Sequence, residues 1–109
     1  MAGAWMAACR AVDVISAGHL VREVDGRYLA LFHVGGAFFA IDDECTHDGG
    51  SLDGATVDGL EVICPRHGAR FCLRTGAALS PPAYSPVRTY PVRVSGEQLE
   101  VELDVGHGA

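Results

Sequence analysis

The sequence predicts an all-β sandwich or barrel on three observations. Helical periodicity is weak along the chain, short runs of β-branched, aromatic and aliphatic residues recur, and glycine-bearing pairs punctuate them at spacings that suit tight turns. In chain order the first runs are RAVDVIS (10–16), LVREV (20–24), RYLALFHV (27–34) and AFFAID (37–42), with turns expected at Asp25-Gly26 and Gly35-Gly36. The pattern resumes with ATV (55–57), a turn at Asp58-Gly59, LEVIC (60–64) and ARFCL (69–73). A turn at Thr75-Gly76 and the runs VRTYPVRV (87–94) and QLEVELD (98–104), joined at Ser95-Gly96, complete it. Pro81-Pro82 reads as loop, because proline donates nothing to a sheet ladder.

A chain of 109 residues is expected to form one domain, spanning 1–109. Its core is small, so a metal centre tying two loops together would add noticeably to folding. The formal net charge is −6, with eight Lys and Arg residues and no basic run. That balance argues against nucleic acid or an anionic membrane as partner and favours basic protein surfaces. The opening MAGAWMAACRAV is apolar but lacks a cationic leader region and is interrupted by Arg10, so neither a signal peptide nor a spanning helix is expected and the protein is read as cytoplasmic.

Four cysteines in such a chain point to metal binding more than to disulfides. Cys45 and His47 stand one residue apart, Cys64 and His67 two apart. Cys9, placed near the start of the first strand, and Cys72 have no histidine at ligand spacing and read as partly buried structural thiols, Cys72 being the nearer to the site. His19, His33 and His107 read as ordinary strand, loop or tail residues, and Trp5 as packed against the sheet.

Two thiolates and two imidazoles can complete a tetrahedral zinc or terminate two sulfide-bridged irons. Zinc fingers draw one pair of like ligands from each local element, whereas here each loop carries one cysteine and one histidine. Two loops lying side by side against a two-iron core would give this mixed order a reason. Gly49, Gly50 and Gly68 let backbone amides approach a charge-dense sulfur core, and Pro65 stiffens the second loop.

Cys45-Thr-His47, followed after sixteen residues by Cys64-Pro-Arg-His67-Gly, resembles the Rieske [2Fe-2S] motif, and RFCLRTGAALSPPA resembles its continuation in Rieske-type ferredoxins. The resemblance implies one [2Fe-2S] cluster, with Cys45 and Cys64 on one iron and His47 and His67 on the other. It also implies three stacked antiparallel sheets with a cluster-binding subdomain at about 43–83, formed by two hairpin loops and covered by a third loop matching Pro81 and Pro82. High-potential family members carry a disulfide and two hydroxyl donors at positions occupied here by Gly50 and Arg66 and by Ala69 and Phe71. Their absence implies a midpoint at the low end of the Rieske range, on the order of −150 mV.

The function implied is that of a one-electron carrier, not itself an enzyme. It would be a monomer taking electrons from a flavin-dependent reductase and passing them to a terminal oxygenase, in the manner of aromatic-ring dioxygenase systems. The alternatives are a small subunit associated with nitrite reductase or iron-sulfur assembly, or a zinc-binding or redox-sensing module. A Rieske oxygenase proper would need a second, iron-bearing catalytic domain for which 109 residues leave no room. Asp42, Asp43, Glu44 and Asp48 would steer docking toward a basic rim, and Arg66 and Arg70 are either plain surface charges or docking residues.

Overall fold

The structure, a computed structural model, describes residues 3–104; His107 and the GHGA tail lie outside the described residues. The described residues form ten strands and one short helix: β1 (Gly3–Arg10), α1 (Ala11–Ala17), β2 (His19–Val24), β3 (Arg27–Val34), β4 (Ala37–Asp42), β5 (Thr56–Asp58), β6 (Glu61–Ile63), β7 (Arg70–Cys72), β8 (Thr89–Tyr90), β9 (Val92–Ser95) and β10 (Gln98–Asp104). They form three antiparallel sheets, in the orders β1-β10-β9, β2-β3-β4-β8 and β5-β6-β7. Among the described residues no helix is long and apolar enough to cross a membrane.

The stacking order is readable from β3. Its side chains alternate between two cores, with Leu29 and Leu31 in one and Ala30 and Phe32 in the other, all four fully buried. On β4, Ala40 and Ile41 divide the same way. A strand buried on both faces needs an uninterrupted apolar run, which is what LALF supplies. The four-stranded sheet is therefore the middle layer. Beneath it, Leu99, Val101 and Leu103 of β10 close a lower core with Val14 and Tyr90. Above it, Leu52, Val62, Ala69, Phe71, Leu73, Ala83 and Val87 close an upper core that also contains Cys45 and Cys64.

The hairpins obey their turn residues. Asp25 and Gly26 both have positive φ, 51° and 82°, as do Gly35 and Gly36, 59° and 82°, which gives β2-β3 and β3-β4 the backbone twist of two-residue hairpins. Two readings of the sequence are corrected. RAVDVIS is not a strand, because β1 already pairs with β10 as far as Arg10 opposite Gln98 and Ala11–Ala17 must carry the chain over to the middle sheet. It does so as a helix closed by Gly18 at φ 83°, whose amide donates to the Val14 carbonyl at 2.8 Å. Cys9 accordingly lies near the end of the first strand. VRTYPVRV is not one strand either. Pro91, which has no N–H, divides β8 on the middle sheet from β9 on the lower sheet, and its carbonyl accepts from the Glu102 amide at 3.0 Å.

Candidate metal centre

The two cysteine loops share one backbone design. The Cys45 amide donates to the Gly50 carbonyl at 2.8 Å, and the Cys45 carbonyl accepts from the Gly49 amide at 2.7 Å. The Cys64 amide likewise donates to the Ala69 carbonyl at 2.8 Å, and its carbonyl accepts from the Gly68 amide at 3.1 Å. Each turn closes through a glycine at φ of about 75°, Gly49 at 74° and Gly68 at 75°, a conformation costly for any residue with a Cβ. The turn aims the amides of His47 and Asp48 at the Cys45 sulfur.

Both cysteines are buried, at 1% and 2% exposure, whereas His47 and His67 are exposed. Burial pushes the Cys45 thiol above its ordinary pKa; the His47 and Asp48 amides oppose that shift, while Cys64, within hydrogen-bonding contact, adds to it. The two imidazoles meet edge to face with ring centroids 5.1 Å apart. The structure thus brings the four sequence-predicted residues together as two pairs, the buried thiols in contact with each other and the exposed imidazoles with each other. Such a donor set fits a two-iron cluster, which needs anionic sulfur at the protein-embedded iron and tolerates neutral nitrogen at the other. It fits a lone tetrahedral ion less well, since the like ligands are paired by depth and not by loop.

The third loop closes over the site as expected. Ala83 is buried in the same core as the two cysteines, and Thr46 Oγ1 donates to the Ser85 carbonyl at 2.6 Å, tying this loop to the first. The Pro81-Pro82 bond within it is cis.

Three features are not visible in the motif. First, Asp43 organises the 45–52 loop from below, its carboxylate accepting from the Leu52 amide and the Ser51 hydroxyl, both at 2.7 Å. Second, Asp48 and Arg66 form a bidentate pair between the loops, with Nε to Oδ2 at 2.7 Å and Nη2 to Oδ1 at 3.0 Å. The Arg66 guanidinium holds the Asp48 carboxyl down to about 2, helped by the Gly50 amide. Asp48 also brings a carboxylate oxygen into a group with the His47 and His67 nitrogens, all within 4.8 Å of one another, but that carboxylate is committed to Arg66. Third, Cys72 heads another turn of the same design, its amide donating to the Ala77 carbonyl at 2.9 Å and its carbonyl accepting from the Gly76 amide at 2.7 Å. The signal for this was present: Cys-x-x-x-Gly followed by Gly or Ala occurs in CTHDGG, CPRHGA and CLRTGA.

The acidic residues offered for docking are largely used inside the fold. Asp42 accepts from the Tyr90 hydroxyl, Asp43 and Asp48 are engaged as above, and Glu44 is exposed. Arg70 pairs with Asp58 and Glu61, each at 3.2 Å, along the upper sheet.

Residues 4–91 match the Rieske [2Fe-2S] domain. The chain belongs to this family. Rieske domains of this family carry a [2Fe-2S] cluster, in agreement with the donor set just described. This Rieske domain is 44% identical over 97 residues to the 3-phenylpropionate/cinnamic acid dioxygenase ferredoxin subunit of Escherichia coli (strain K12), covering 88% of this chain and 91% of that relative. Among solved structures it resembles the ferredoxin of carbazole 1,9a-dioxygenase from Nocardioides aromaticivorans IC177, with a TM-score of 0.81 at 29% identity over 93% of this chain and 97% of the other. It also matches a chain in the complex of reduced oxygenase and oxidized ferredoxin in carbazole 1,9a-dioxygenase, with a TM-score of 0.79 at 34% identity over 89% and 91%.

Proposed function

We propose that this Rieske domain is the one-electron carrier of a multicomponent dioxygenase, accepting electrons from a flavin-dependent reductase and delivering them to a terminal oxygenase. The observation that carries the proposal is the pair of exposed imidazoles, His47 and His67, in mutual contact on the same two loops that carry the buried thiols of Cys45 and Cys64. Cys45, Cys64, His47 and His67 would hold the [2Fe-2S] cluster, the two thiolates on one iron and the two imidazoles on the other. When bound, the [2Fe-2S] cluster accepts and releases a single electron. The protein's own part is to keep water and oxidants from the thiolates by burial, to present the histidine edges to a partner, and to fix both loops so that little rearranges during transfer. The relatives named as dioxygenase ferredoxin subunits, and the ferredoxin in complex with an oxygenase, support the terminal oxygenase as a partner.

The chain acts as a carrier and not as an enzyme, in the cytoplasm, as a monomer, and as a single domain over 1–109 whose cluster-binding part is about 43–83. Analysis of the purified protein for iron and acid-labile sulfide, with visible and EPR spectra after reduction, tests the ligand set. Two irons and two sulfides per chain are expected. Replacing either cysteine by serine should abolish them, and a colourless zinc protein would overturn the reading. Electron delivery is tested by stopped-flow mixing of the reduced protein with the E. coli 3-phenylpropionate/cinnamic acid dioxygenase terminal oxygenase, in which oxidation of the carrier is expected.

A further inference from the structure

Asp48 directly follows His47, and Arg66 directly precedes His67. The bidentate pair between Asp48 and Arg66 therefore joins the two loops one residue from each exposed imidazole. The same guanidinium donates through Nη1 to the Ser51 carbonyl at 2.6 Å, so one side chain of the second loop grips the first loop at two points. Gly50 makes the approach possible: a Cβ there would lie 2.7 Å from Arg66 Cζ and 2.8 Å from Nη2. The Gly50 amide in turn donates to Asp48 Oδ1 at 2.9 Å, so the carboxylate is held from both sides. A planar fork matched to a carboxylate fixes orientation as well as distance, which a lysine ammonium does not.

We infer that Arg66, with Asp48 and the Ser51 carbonyl, is a positioning clasp that holds the two histidine-bearing loops in register and retains the cluster between them. The inference rests on the reading of His47 and His67 as ligands. It assigns to the two charges opposite electrostatic effects but one shared mechanical effect. Arg66 places a cation beside a site that becomes more negative on reduction, and Asp48 places an anion there. Both are needed for the clasp.

The test uses the cluster-loaded protein and its Arg66→Gln, Asp48→Asn, Arg66→Lys and doubly substituted Arg66→Gln/Asp48→Asn forms, with far-UV circular dichroism to establish folding. Bleaching of the visible spectrum under an iron chelator should run roughly fivefold faster in each single variant, the scale of losing one well-formed ion pair. The double variant should bleach no faster than the singles, whereas multiplied rates would overturn the clasp. The midpoint should fall in Arg66→Gln and rise in Asp48→Asn; shifts in the same direction, or none, would refute the charge placement. Arg66→Lys should keep a midpoint near that of the parent and still bleach quickly. Hydrogen exchange at the Gly50 amide should quicken when Arg66 is replaced, and unchanged exchange overturns the clasp whatever the metal content. Absence of iron and sulfide from the unsubstituted protein would overturn the ligand reading instead.

Discussion

Ala69 and Phe71 are fully buried in the core that holds both cysteines, and neither carries a hydroxyl. Among side chains, hydrogen-bond donors to sulfur favour the reduced, more negative state, so an apolar floor beneath the thiols lowers the potential. A midpoint on the order of −150 mV is expected by redox titration, and one above about +100 mV would contradict this account. The direct check is to install donors. A hydrogen bond that strengthens by about 1.4 kcal/mol on reduction raises a one-electron midpoint by about 59 mV. Ala69→Ser and Phe71→Tyr should each raise the potential on that order, and a fall would show that the hydroxyls do not reach sulfur. The two remaining cysteines differ as well. The Thr75 hydroxyl and the Thr75 and Arg74 amides lower the Cys72 pKa, while burial raises that of Cys9. A lowered pKa means more thiolate at neutral pH and a raised one means less, so iodoacetamide should label Cys72 ahead of Cys9. Peptide mass spectrometry after brief labelling reads the order, and equal labelling would contradict it.

At the scale of elements, the turn after Cys72 anchors the end of the third loop to the upper sheet. The Gly76 carbonyl accepts from the Val87 amide at 2.8 Å, and a Cβ on Gly76 would fall 2.0 Å from the Val87 carbonyl oxygen, with φ already at 79°. Gly76→Ala combines a backbone clash with left-handed strain and should destabilise the fold by at least about 2 kcal/mol in urea unfolding. Gly54→Ala provides the control, because it has a similar φ of 84° and nothing within 4 Å, so it should cost only the roughly 1 kcal/mol of the conformation. Equal effects would remove the clash from the argument. The same elements show what could be read in advance. The runs RYLALFHV, AFFAID and QLEVELD coincide with β3, β4 and β10, because each is bounded by a glycine turn and buried on at least one face. RAVDVIS failed because its β-branched residues report local preference, while connectivity between two sheets decided the conformation; only Val14 of α1 is buried. The gathering of Cys45 with Cys64 and of His47 with His67 was legible because each loop repeats a cysteine and a histidine at close spacing. The Asp48–Arg66 pair was not, since 18 positions separate its members and nothing local marks either as the other's partner.

For the molecule as a whole, the three-layer arrangement separates stability from redox function. The lower core lies between the β1-β10-β9 sheet and the middle sheet and the upper core between the middle sheet and the cysteine loops, with the strands of the middle layer contributing side chains to both. Leu99 and Leu52 are both fully buried, one in each core. Truncating either to alanine removes the same atoms and leaves a cavity, at a cost of about 2–5 kcal/mol. The consequences should nevertheless differ. Leu99→Ala should lower the urea midpoint and leave the redox midpoint where it was, with visible absorbance and far-UV circular dichroism lost together. Leu52→Ala opens its cavity under the loop that carries Cys45 and His47, so visible absorbance should be lost at lower urea than the far-UV signal, breaking the coincidence that marks a single transition. A Leu99→Ala protein that bleaches early, or a Leu52→Ala protein that unfolds in one step, would mean that the middle sheet transmits packing defects between layers. On the observed alternation of Leu31 downward and Phe32 upward along β3, the sheet isolates them: each core packs against its own set of side chains, and a void on one side leaves the contacts on the other intact.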